Sequence, residues 1–91
     1  MIPLPQIIKK NGFGYTQVSR GKKTCVYAQW YKNNIIAYEV FIIRIRPNRC
    51  IKGEWLEARE KFPADEDLGY HAWVYKTLER AEEKYNSLEN D

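Results

Sequence analysis

Few residues in this 91-residue chain are of types that do covalent chemistry, and their spacing does not assemble them. A nucleophilic mechanism needs a thiol or hydroxyl, a base beside it and a group that orients the base. The chain has one histidine, His71, and two cysteines, Cys25 and Cys50, none in a local arrangement of that kind. Zinc wants four closely spaced Cys and His ligands, and three dispersed ones do not supply them. Asp65-Glu66-Asp67 lacks the alternating ligands and the glycine of a calcium loop. Gly12-Phe13-Gly14 is a fragment of a phosphate-cradling loop, with neither the third glycine nor a following helix. Glu54, Glu57 and Glu60 would divide between the two faces of a strand, and Glu39 stands alone in an apolar run. The expectation is a protein that is not an enzyme and that uses no metal and no cofactor.

The remaining chemical signal is cations interleaved with aromatic side chains. Lys22, Lys23, Arg44, Arg46 and Arg49 are placed to follow a phosphate backbone, and Tyr31 and Tyr38 to stack on unpaired bases. Charge is unevenly distributed around the net +3. Residues 1–53 hold ten cations and the single acid Glu39, a net +9, whereas residues 54–91 hold five cations and eleven acids, a net −6. Such asymmetry points to a polyanionic partner, to self-association through opposite patches, or to pairing within the fold.

These residues must be positioned by a small set of elements. Residues 1–11 have no regular period and read as an arm ahead of a single domain, residues 12–91. Phe13 to Ser19 and the β-branched and aromatic run Thr24 to Tyr31 read as strands, with the turn Lys32-Asn33-Asn34 leading into a long strand, Ile35 to Arg46. Its alternation directs Phe41, Ile43 and Ile45 to the core and Arg44 and Arg46 to the other side, with Tyr38, Val40 and Ile42. Pro47 ends it. Residues 51–62 contain good helix formers, yet Gly53 and the preceding turn favour a further strand. Pro63 to Gly69 reads as a loop with one helical turn, and Ala72 to Lys76 as a short extended piece. Leu78, Ala81, Tyr85 and Leu88 recur at helical spacing behind Thr77 as N-cap, giving an amphipathic helix expected across the core face of the sheet. Trp30 completes the expected core. The fold class is α+β: an antiparallel meander of four or five strands with one C-terminal helix.

Thirteen aromatics and 44% hydrophobic residues exclude a disordered chain, and two cysteines exclude a disulfide scaffold. No apolar run approaches the roughly 20 residues of a membrane helix. The opening Met-Ile-Pro-Leu-Pro-Gln-Ile-Ile-Lys-Lys has its charges after the apolar stretch, the reverse of a secretory signal. A cytoplasmic location with reduced thiols and no membrane partner is expected.

In layout, a meander with a basic sheet followed by a C-terminal helix resembles the single-stranded-DNA-binding coactivator and Whirly-type folds, which implies oligomers that bind single strands across sheet surfaces. The ending Lys-Thr-Leu-Glu-Arg-Ala-Glu-Glu-Lys-Tyr (76–85) after a strand–turn–strand core is similar in layout to WGR domains, although the Trp-Gly-Arg signature is absent. Neither resemblance carries a functional residue across. The expected function is a small binding module for single-stranded DNA or RNA through Lys22, Lys23, Tyr31, Tyr38, Arg44, Arg46 and Arg49. The alternative is a protein-interaction module, a homodimer or an adaptor.

Overall fold

A computed structural model describes all 91 residues. Five strands form an antiparallel sheet in the order β1 (Ile7–Lys10), β2 (Phe13–Arg20), β3 (Thr24–Tyr31), β4 (Asn34–Ile42) and, at the far edge, β9 (Ala72–Tyr75). Between β4 and β9 in sequence lie four short strands: β5 (Arg44–Arg46) pairs with β8 (Arg59–Lys61), and β6 (Arg49–Ile51) with β7 (Glu54–Leu56). A single 3-10 turn follows at Asp65–Asp67, and α1 (Leu78–Glu89) ends the fold. The α+β meander with one helix packed on it is therefore what the chain forms. Lys32 and Asn33 make the β3–β4 turn, both at positive φ (48° and 68°), which matches the right-handed twist of the flanking strands.

Both faces of the sheet are covered, so the central strands lose their two-residue alternation: Thr24 through Ala28 are all buried. On one face Tyr15, Cys25, Tyr27, Phe41 and Ala72 pack with Leu4 of the N-terminal segment. Phe62 closes this cluster, its ring 4.9 Å from Tyr15, 5.3 Å from Tyr27 and 5.2 Å from Phe41. On the other face Val26 and Val40 pack against Ala81, with Tyr38, Tyr75, Tyr85 and Leu88 around them. Thr77 caps the helix, its hydroxyl accepting from the Arg80 amide at 3.3 Å.

Several expectations are corrected. The helix lies over Val40, not over Phe41 as its neighbour on the core face, because the first residues of the chain and Phe62 already occupy the Phe41 side. Residues 7–10 are not part of an irregular arm but an edge strand. The residues before them are also anchored: the Tyr27 hydroxyl donates to the Pro5 carbonyl at 2.6 Å, and Ile2 bridges Arg59. The long strand to Arg46 breaks at Ile43, where β4 runs out of partners: the Ile43 amide donates to the Lys23 carbonyl at 2.8 Å, and beyond that point β3 has already turned away. Ile45 consequently leaves the sheet and is 51% exposed; Leu78, in the first helical turn beyond the sheet, is 36% exposed. Trp30 is half-buried, its indole N–H donating to Thr16 at 2.9 Å. Val18 and Ile36, also exposed, are the extra residues of two β-bulges.

Candidate functional site

The segment that leaves the sheet is a two-stranded ribbon running out from Arg44 and back to Lys61. Its base is set by register: Arg44 faces Lys61, Ile45 faces Glu60 and Arg46 faces Arg59. Residues directly opposite in an antiparallel pair share a face, so Arg44, Lys61, Arg46 and Arg59 form a ladder of four cations in two rungs. Like charges placed opposite one another cost stability. The two rungs are two residues apart, about 6–7 Å along the strand, comparable with the separation of successive phosphates in one nucleic-acid strand.

Compensation within the chain is sparse. Arg44 Nη1 donates to Asp67 Oδ1 at 2.8 Å, and the Asp67 carboxyl is held below its usual range first by the Ala64 amide and then by Arg44. Arg46 has no partner, and its Nε is both buried and unsatisfied. A cavity of about 270 Å³ opens beside the ladder, with Arg46, Arg59 and Lys61 at its rim and Leu4, Ile8 and Phe62 as apolar wall. Glu60 also lines it but is committed elsewhere: it accepts two hydrogen bonds from the Arg20 guanidinium and one from the Leu4 amide at 3.0 Å. Those bonds, Arg20 foremost, hold its carboxyl down.

Beyond the ladder the ribbon kinks at Pro47-Asn48, where the Asn48 side chain accepts from the Ala58 amide, and continues as the β6–β7 hairpin. Lys52 and Gly53 form its tip, both at positive φ. This hairpin pairs only with itself. Cys50, Ile51 and Trp55 are exposed on it, with Arg49 opposite Leu56.

Of the seven residues singled out in the sequence, Arg44 and Arg46 share the ladder and Arg49 stands on the adjoining hairpin. Lys22 and Lys23 form the β2–β3 turn beside the root of the ribbon, but their surroundings are acidic: their amides donate to the Glu89 carboxylate at 2.7 and 3.0 Å, and the Lys23 ammonium reaches the Asp91 carbonyl. Tyr31 and Tyr38 lie on opposite faces of the sheet. Tyr31 packs on Phe13 at 5.7 Å beneath Lys32, and Tyr38 belongs to the cluster under the helix. The cations and aromatics thus do not share one sheet face; the cations gather on the ribbon.

Sequence reasoning missed Arg59 and Lys61, which sit in the acidic half of the chain. The signal that would have found them is antiparallel pairing of 44–46 with 59–61 about a turn at Lys52-Gly53. Two other features stand apart. Burial pushes the Glu39 carboxyl up to about 7 against the pull of Lys10, and its Oε2 is buried without a partner. The largest concavity, about 660 Å³, is an open notch along Glu79, Arg80, Glu83 and Lys84 with balanced charge.

Fold and site together give an α+β architecture, a two-faced antiparallel sheet from which a cationic ribbon projects. Compared with protein-family models, curated proteins and solved structures, the chain matches none.

Proposed function

We propose that the chain is a non-enzymatic module that binds single-stranded nucleic acid, with Arg44, Arg46, Arg59 and Lys61 contacting successive phosphates. The observation that carries this reading is the pair of like-charge rungs compensated by one acid, Asp67. A fold gains nothing from opposing Arg to Arg and Arg to Lys, whereas an anion laid along the ladder turns both repulsions into bidentate attraction. Arg49 extends the same charge outward, and Lys22 and Lys23 flank its root.

The test is titration of labelled single-stranded and duplex DNA and RNA by anisotropy at two salt concentrations. Salt-sensitive binding that favours single strands is expected, and absence of binding at low salt removes the proposal. The alternative, a homodimer or adaptor, is favoured by the exposed apolar residues of the β6–β7 hairpin. Light scattering at several concentrations separates it: a stable dimer without nucleic-acid affinity supports that alternative.

A further inference from the structure

The β6–β7 hairpin carries a large aromatic side chain that the core does not bury. Trp55 is 67% exposed and takes part in none of the aromatic, cation–π or hydrogen-bond contacts of the chain. The other tryptophans are engaged: Trp30 with Thr16, and Trp73 beneath the Lys84 ammonium at 4.2 Å. A two-stranded hairpin standing alone in water is marginal, so an unburied indole there is not explained by stability.

We infer that this hairpin is a base-stacking finger, with Trp55 lying against an unpaired base of the strand whose phosphates occupy the ladder. The inference rests on the proposed nucleic-acid reading and adds to it the side chain that contacts bases. Three observations favour a nucleic-acid strand over a protein surface. The finger is continuous with the ladder, β5 leading into β6 and β7 into β8, and the Asn48–Ala58 hydrogen bond ties the junction. Residues 44–61 carry six cations and three acids, and two of those acids are occupied, Glu57 by the Met1 amino group at 2.7 Å and Glu60 by Arg20. Finally, the residue opposite Trp55 is the small Cys50, which leaves the indole uncovered on its face of the hairpin, beside the cationic tip residue Lys52. Aromatic stacking of this kind accepts any base, because every base has a π face.

The test compares two labelled probes of equal length and equal phosphate number: oligo(dT), and an oligomer of abasic tetrahydrofuran residues. The wild-type chain is expected to bind oligo(dT) about tenfold more tightly than the abasic probe, within the range of one stacked base. Trp55→Ala should bring oligo(dT) down to the abasic level with the salt slope unchanged, and Trp55→Phe should retain most of the preference. Since the hairpin's strands pair only with each other and Trp55 is exposed, both variants should melt as the wild type does. If Trp55→Ala keeps the base preference, or the wild type shows none, the finger is overturned while phosphate binding stands. If neither probe binds at low salt, the nucleic-acid reading fails and the finger with it. If Trp55→Ala abolishes self-association and leaves probe binding untouched, the hairpin serves a second copy and the inference is overturned.

Discussion

Replacing Arg59 by Gln should move stability and binding in opposite directions. Arg59 lies directly across from Arg46 and has no acid partner, so the substitution removes a repulsion from the folded state. An opposed like-charge pair costs a few tenths of a kcal/mol up to about 1 kcal/mol; taking about 0.5 kcal/mol, the melting temperature of a domain this size should rise by about 2–4 °C. Binding should weaken together with its salt dependence. Four phosphate contacts on a single strand give a slope near −2.8 in log K against log salt, or about a 50-fold loss of affinity from 50 to 200 mM salt. Arg46→Gln/Arg59→Gln leaves two contacts, a slope near −1.4 and about a 7-fold loss over the same interval. Differential scanning calorimetry and anisotropy titrations at four salt concentrations provide both readouts. A lower melting temperature for Arg59→Gln would mean that the rung is structural. An unchanged slope in the double variant would mean that the ladder does not touch phosphate. Either result refutes the reasoning, and the first does so without any ligand.

Other consequences follow from the packing and the titrating groups. Phe62→Ala opens a gap among Tyr15, Tyr27 and Phe41 and should cost about 3 kcal/mol in urea denaturation, with the m-value unchanged. The folded chain keeps Glu39 protonated up to about 7, against an ordinary 4.5, so the unfolded state loses that proton first and stability should fall as pH rises between those values. Glu39→Gln should flatten this segment of the profile and stabilise the domain at pH 8 by about 2 kcal/mol, allowing for partial solvent access. Glu60 and Asp67, held down by their partners, contribute in the opposite sense and only in acid, losing their stabilisation as pH falls through their lowered values. A methyl group at Gly21 would clash with the Glu89 carboxyl, so Gly21→Ala should expel Glu89 from the Lys22 and Lys23 amides and speed amide exchange in the last turn of the helix.

Local rules made much of the fold legible. The β3–β4 turn at Lys32-Asn33, the Thr77 cap and the helical spacing of Ala81, Tyr85 and Leu88 toward the sheet are short-range features that a sequence states directly. What it did not state is long-range. Ile45 carries the alternation of a core residue, and only the start of β3 at Thr24, 21 positions nearer the N-terminus and invisible to local pattern, ejects it. Phe62 ends a stretch that reads as strand despite its helix formers, but its place among three rings depends on where β8 returns. The site divides in the same way. Arg44 and Arg46 announce themselves as a pair, while Arg59 and Lys61 acquire meaning only through register with them.

The charge asymmetry of the sequence admitted three explanations, and the fold separates two of them by residue. Part of it is internal pairing across the halves: Arg20 with Glu60, Arg44 with Asp67, and the Lys22 and Lys23 amides with Glu89 each join a residue of the basic half to an acid of the other. These contacts attach the segment after β4 and the end of the helix to the sheet, which is work that a small core with both faces covered can use. The pairing is not uniform, however. It reaches the base of the ribbon through Glu60 and Arg44 but leaves Arg46, Arg59 and Lys61 without an acid, and there two cations of the acidic half are brought against two of the basic half. Had internal neutralisation been the whole purpose of the asymmetry, Arg59 and Lys61 would be expected opposite carboxylates. Their placement opposite Arg46 and Arg44 concentrates positive charge on one face of the ribbon, alternating with Glu60, whose bonds to Arg20 and Leu4 hold β8 to the sheet, so that an anion on the cation rungs would leave those bonds intact.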